Sequence, residues 1–183
     1  MNDSSDWSRH GHLVLVGLPG AGKSTIGKLV AKALGWPFLD FDVELERRMG
    51  KSIARQFSEF GEAAFRAREV ALTRELVTAP SMVLAPGGGW ITSPEVVDLV
   101  RPPGQIVHLR ISTASALRRL SRARVVRPLL KTADPKATME ALWERREALY
   151  NQADLTINVE VVDSQRVVKQ IVALAARDST RIG

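Results

Sequence analysis

The chain of 183 residues contains no cysteine, which excludes disulfide bridges, zinc-thiolate centres and thiol catalysis. That composition suits a reducing compartment. No apolar stretch approaches the roughly 20 residues of a membrane span, and no charged, apolar, small-residue leader opens the sequence. A soluble, cytoplasmic protein is therefore expected. There is no internal repeat and no sign of a second domain, and a chain this long with 45% hydrophobic residues can bury one sizeable core. Residues 12–177 read as that single domain. The polar, unpatterned stretch 1–11 reads as a flexible tail, and 178–183 as a second one.

Acidic side chains are missing from one interval. Between Ile111 and Ala133 there are none, while Arg118, Arg119, Arg122, Arg124, Arg127 and Lys131 crowd into it. The whole chain carries a net charge of +6, and 19 of its 26 basic residues are arginine, which favours forked recognition of carboxylate or phosphate. Elsewhere Glu44, Glu46, Glu59, Glu62, Glu69, Glu75, Glu140, Glu144 and Glu147 interrupt the basic faces, so nucleic acid is not the expected partner. The basic interval, about 118–131, reads as a mobile lid that would bring cationic donors to a phosphate and exclude water, with a solvated helix end as the other reading of Arg122 and Arg124.

What is present centres on Gly17-Leu18-Pro19-Gly20-Ala21-Gly22-Lys23-Ser24, between the apolar run Leu13 to Val16 and the helical pattern Thr25 to Leu34. This is the phosphate-binding pattern G-x-x-x-x-G-K-[ST] in its required context of strand, loop and helix. Gly17, Gly20 and Gly22 let successive amides, with Ala21 among them, point inward at phosphate oxygens, and the helix adds the positive end of its dipole. Lys23 is placed to bridge β- and γ-phosphates, Ser24 to ligate Mg²⁺, and Thr25 to serve the helix start.

Further along, strands are expected at 36–39, 81–85, 105–109 and 155–159, and helices at 43–49, 53–60, 62–78, 94–100, 113–120, 135–150 and 164–176. Ser52 and Ser93 read as caps, and Gly35 and Gly50 as helix stops. Five apolar strands alternating with helices predict an α/β fold: a five-stranded parallel sheet with helices on both faces and sites at the carboxyl ends of the strands.

Each strand end presents chemistry. Asp40 and Asp42 follow the second strand at a spacing that points both the same way along an extended backbone. Two carboxylates near a triphosphate require a cation, so Asp40 is assigned to Mg²⁺ through water, and Asp42 is left to accept a proton or hydrogen bond from an attacking hydroxyl. Capping of a helix at Val43 is the other role open to Asp42. Arg66 and Glu69 share a helix face, either as a surface ion pair or as a carboxylate orienting a guanidinium toward an anion. Gly87, Gly88 and Gly89 in succession point to a ligand touching backbone, or to a tight turn. His10, His12 and His108 have no metal-like spacing.

Together these residues resemble the shikimate kinase family: GLPGAGKST from Gly17, LDFD from Leu39, FGEAAFRAREV from Phe60, GGG from Gly87, RRxxxxxxxRPLL from Arg118 and RREALY from Arg145, over about residues 12 to 175. The resemblance implies a nucleoside monophosphate kinase-like fold and ATP-dependent phosphorylation of the 3-hydroxyl of shikimate, on the route to aromatic amino acids. By position it implies Asp42, Arg66, Gly88, Gly89 and Arg146 as acceptor ligands. It implies the loop amides, Lys23, Ser24, Asp40 and Arg127 on the nucleotide and metal side, with Arg119 near the adenine. Lys23, Asp42 and Arg127 are then the catalytic set, ATP and Mg²⁺ the cofactors, and a monomer acting on a small molecule the expected form. Helix spacing alone would leave Arg145 and Arg146 as a solvated face.

The pattern departs from the family at Pro86 and at Trp90, where a small residue is expected, in a lid without a glycine-rich middle, and in the loop from Asn158 to Ser164, which names no adenine ligand. Trp90 would either wall the pocket or enter the core. A kinase of another hydroxy acid such as gluconate, and a kinase-like regulator that binds nucleic acid, are the alternatives.

Overall fold

The computed structural model describes residues 11–122 and 132–179. At its centre Leu13–Val16 forms β1, four apolar residues buried without alternation, as a parallel strand covered on both faces requires. It is flanked by β3 (Val83–Ala85) and β4 (Gln105–Arg110), with β2 (Phe38–Asp40) outside β3 and β5 (Leu155–Asn158) outside β4. All four pairings are parallel, and Leu13 stands opposite Val83 on one side and Gln105 on the other. The order β2-β3-β1-β4-β5 makes the chain leave β1 toward one edge and leave β3 toward the other. The loops that follow these two neighbouring strands therefore open at one switch point of the sheet.

Helix α1 (Lys23–Leu34) and helix α7 (Ser164–Ser179) pack together over one face. Gly27 of α1 lies so close to Leu15 and the Phe38 ring that a side chain there would collide. The other face belongs to α6 (Pro135–Tyr150). Pleating turns Val16 and its register partner His108 away from α1, and the His108 ring stacks on Tyr150 with centroids 4.6 Å apart. Between β2 and β3 run α2 (Phe41–Met49) and α3 (Ile53–Leu76), the latter broken at Gly61 (φ 78°, ψ 169°) where two separate helices are expected from sequence. Helix α4 (Pro94–Val100) and helix α5 (Thr113–Arg122) complete the described elements. None of their helices is long and apolar enough to cross a membrane.

Several boundaries move for identifiable reasons. Helix α2 begins at Phe41 rather than Val43, because the Asp40 carboxylate accepts from the Asp42 amide at 3.0 Å and the Val43 amide at 3.4 Å. Asp40, not Asp42, is therefore the cap, and such a cap stabilises a helix by about 1 kcal/mol. Strand β2 starts only at Phe38: Pro37 has no amide to donate, although its carbonyl accepts from Val83 at 2.9 Å. Ser93 makes no capping bond from its side chain, and Pro94 alone sets the start of α4. Helix α5 runs on to Arg122, so the first part of the expected lid is helical, and residues 123–131 lie outside the described residues.

Two buried histidines are held neutral. His12 accepts from the Met82 amide through Nδ1 (3.3 Å), so Nε2 carries the proton and donates to the Leu76 carbonyl (2.7 Å). Burial lowers its pKa. Both nitrogens of His108 are buried with no hydrogen-bond partner among the described residues. Burial first, then the charges of Arg110 and Lys23, push His108 down to about 4. A histidine depressed in this way contributes stability that is complete above its unfolded value of 6.5 and is lost as pH falls toward 4. Between pH 7 and pH 5 the loss from His108 amounts to about 2 kcal/mol. Thermal melts at the two pH values should show a clearly smaller drop for His108→Phe than for the wild type, and an equal drop would contradict this assignment.

Candidate active site

Strand β1 delivers Gly17 at the sheet edge, and α1 begins at Lys23 behind the left-handed Gly22. Between them the loop is wedged against β4 and α5. A Cβ at Gly17 would stand 2.6 Å from the Leu109 carbonyl oxygen, and one at Gly20 would stand 2.8 Å from that of Ala116. Their φ values, 144° and 86°, exclude ordinary side chains as well. Lys23 Nζ donates to the carbonyls of Gly17 (2.9 Å) and Leu18 (3.2 Å), which arches the ammonium over the loop. The first turn of α1 carries no acidic residue, so its positive end faces the loop uncompensated by a carboxylate of its own helix. The Ser24 hydroxyl donates to Asp40 Oδ2, while Asp40 Oδ1 caps α2.

A cleft of about 450 Å³ runs along this edge. One end is lined by loop residues 19–25 with Asp40, Asp42, Gly87 and Gly88. The other is lined by Arg119 and Leu120 of α5 and by Val159, Val162, Ser164 and Val167. Sequence patterns name Arg119 alone on that far wall. The rest follow β5, and the rule that open parallel sheets bind at the carboxyl ends of their strands was the signal available for them. Arg119 Nη2 donates to the Val159 carbonyl at 2.9 Å, and Glu160 accepts from the amide (2.8 Å) and hydroxyl (3.0 Å) of Ser112. The loop after β5 is thereby tied to both ends of α5. The Glu160 carboxyl is held below its usual range by Ser115 and Ser112.

Beyond Asp42 the cleft adjoins the glycine triplet. A Cβ at Gly87 would stand 2.9 Å from Glu69 Oε1 and 3.4 Å from Asp42 Oδ1. At Gly88 it would meet the Gly17 carbonyl oxygen at 3.2 Å and Arg146 Nη1 at 3.3 Å, and at Gly89 it would collide with the Arg66 guanidinium. Four charged side chains from α2, α3 and α6 thus crowd one bare stretch of backbone. Arg66 donates to Glu69 Oε2 at 2.5 Å and to Glu62 Oε1 at 2.9 Å. Glu69 is 1% exposed, so its pairing is not a surface ion pair.

Electrostatics follow burial. Desolvation pushes the Glu69 carboxyl up to about 7, Arg66 pulls against it, and Asp42 adds to it. Burial also works against the charge of Arg66, yet Glu69 and Glu62 hold its pKa above the ordinary value. Arg146 lies 4% exposed, and burial lowers its pKa. Its Nη1 has no hydrogen-bond partner among the described residues. It is no solvated face. Tyr150, one turn further along α6, donates to the Gly88 carbonyl at 3.0 Å.

The structure therefore brings Gly20, Ala21, Gly22, Lys23, Ser24, Thr25, Asp40, Asp42, Gly87, Gly88 and Arg119 around one cleft, with Gly89, Arg66 and Arg146 adjoining it. Asp42 does not continue an extended strand beside Asp40, as its spacing predicts; it occupies the first turn of α2 because Asp40 starts the helix. Trp90 is 1% exposed and belongs to the core rather than the pocket wall. Arg127 lies outside the described residues.

The model of the family described as shikimate kinase matches residues 19–176. The chain is 43% identical over 161 residues to shikimate kinase of Thioalkalivibrio sulfidiphilus, covering 87% of this chain and 84% of that protein. It is 44% identical over 161 residues to shikimate kinase of Pseudomonas entomophila, covering 87% and 93%. Shikimate kinase of Acinetobacter baumannii in complex with shikimate superposes with a TM-score of 0.87 at 33% identity, over 96% of this chain and 98% of that one. With a phosphate loop, a triplet of bare glycines and paired arginines arranged about one cleft, the chain belongs to the shikimate kinase family.

Proposed function

We propose that the protein transfers the γ-phosphate of ATP to the 3-hydroxyl of shikimate, on the route to aromatic amino acids. One observation carries the choice of acceptor: a buried guanidinium nitrogen of Arg146, without a partner among the described residues, faces Gly88 next to the paired Arg66. Buried donors of this kind are costly unless an acceptor arrives, and a carboxylate is the acceptor a fork fits best. Asp42 borders the same triplet and receives the hydroxyl end of the acceptor. A small hydroxy acid spans both poles.

The chain's own residues divide the work. Loop amides and the end of α1 bind the phosphates, and Lys23 offsets charge between β- and γ-oxygens. Ser24 and Asp40 offer hard oxygen donors side by side, which fit Mg²⁺. That ion, when bound, would neutralise phosphate charge. Arg119 and the Val159, Val162 and Val167 wall take the base. Asp42 orients the 3-hydroxyl and accepts its proton as the bond from oxygen to phosphorus forms and the bond to ADP breaks. Positioning supplies most of the acceleration. Arg127 and the basic interval 118–131 close on the phosphates as a lid in this reading, within a single domain of residues 12–177.

ADP release against a panel of hydroxy acids tests the assignment: turnover with shikimate is expected, and turnover with gluconate instead would overturn it. Asp42→Asn should lower kcat about 100-fold or more while leaving ATP affinity within about twofold. Arg146→Met should raise the acceptor KM about 10- to 100-fold, the loss expected for one charge-assisted hydrogen bond. Gly89→Ala should displace the Arg66 guanidinium and cost about 100-fold in acceptor kcat/KM, with ATP KM as the control.

A further inference from the structure

Trp90 follows the triplet directly, yet its ring is outside the cleft lining and fully buried. Its indole N–H donates to Thr73 Oγ1 at 2.9 Å. The Thr73 hydroxyl in turn donates to the Glu69 carbonyl at 2.8 Å, one turn back along α3. Thr73 is itself 0% exposed, so this two-bond relay is buried, where a lost partner is felt. One end of the relay is the backbone that bears Gly89. The other is the helical turn that presents Glu69 and, three residues before it, Arg66.

Around the triplet the backbone is equally fixed. The Trp90 amide donates to the Gly87 carbonyl (3.0 Å), the Thr92 amide and hydroxyl to the Gly89 carbonyl (3.0 and 2.6 Å), and the Ser93 amide to the Trp90 carbonyl (3.1 Å). Residues 87–93 therefore form one stiff unit with a single 3₁₀ turn, Trp90–Thr92. Its separation from α3 is critical, since Gly89 leaves no room for even a methyl group beside Arg66 and Gly87 sits close to Glu69 Oε1.

We infer that Trp90 is a positioning residue: through Thr73 it sets the spacing between Gly87–Gly89 and the Arg66–Glu69 pair, and so tunes acceptor binding without touching the acceptor. The inference rests on the proposed function of the same site. Its distinctive content is that the indole N–H, not ring bulk alone, is required. Phenylalanine would fill much of the volume and leave the relay open.

Steady-state kinetics with each substrate varied in turn test it. Trp90→Phe, which removes one bond of the relay, and Thr73→Val, which removes both, should each raise the KM for shikimate about tenfold, as breaking a buried hydrogen bond implies, with the KM for ATP within about twofold of wild type. Thr73→Ser keeps the hydroxyl and should restore wild-type behaviour. The double variant should be no worse than either single one, because both break the same relay. Unchanged acceptor KM in Thr73→Val, a parallel rise in ATP KM, or additive effects would each overturn the relay. Should Trp90→Phe fail to fold, the valine and serine variants at Thr73 make the comparison alone. Wild-type turnover of shikimate is the reference: its absence overturns the functional reading and this inference with it, whereas its presence with unaltered variant KM overturns the relay only.

Discussion

Lack of side chains at Gly87, Gly88 and Gly89 is the steric condition on which the site depends. Bare backbone lets Arg66 and Glu69 from α3 and Arg146 from α6 approach the same few atoms, with Asp42 from α2 in contact beside them. The sheet order then places this backbone next to the phosphate loop, because β3 lies beside β1 and both strands end at the same edge. Gly88 and the Gly17 carbonyl are near enough that a single methyl group would touch both sides. The phosphate loop and the glycine triplet are thus brought together by strand adjacency.

Charge is concentrated at this junction at some expense to stability. A buried carboxylate loses several kcal/mol of hydration, and an ion pair recovers that only with good geometry. Glu69, with its pKa pushed to about 7 despite Arg66, lies near the limit of what pairing can offset. Arg146 is further from balance, since one of its buried nitrogens has no partner among the described residues. Replacing such groups by apolar ones is often neutral or stabilising. Under the proposed function an anionic acceptor accounts for their presence beside the cleft. His108, buried above α6 with two nitrogens that have no hydrogen-bond partner among the described residues, is a smaller instance of the same cost and has no role in the chemistry described.

Features with local causes were legible in the sequence. The phosphate loop is a covalent spacing, and Gly35 and Gly50 take the left-handed conformation that ends a helix, so these elements were read within a residue or two. The pairing of Arg66 with Glu69 was visible as spacing, but its burial depends on what packs above α3, which spacing does not carry. Asp40 and Asp42 were misread as neighbours on a strand because a side-chain cap turned the backbone between them. The wall formed by Val159, Val162 and Val167 has no motif, since an apolar lining places few demands on residue identity. Trp90 could have entered the core or the pocket from sequence; a partner 17 residues earlier, Thr73, decided it.

Asp40 uses its two oxygens for different purposes, Oδ1 to begin α2 and Oδ2 to meet the Ser24 hydroxyl. This narrows the mutational paths open to the position. A replacement with no acceptor oxygen loses the cap that starts the turn bearing Asp42, so under the proposed function metal affinity, helix start and the orientation of the reacting hydroxyl change together. Asparagine alone keeps an acceptor oxygen at the same reach, and it is the one substitution by which the structural duty of this residue can be separated from its charge.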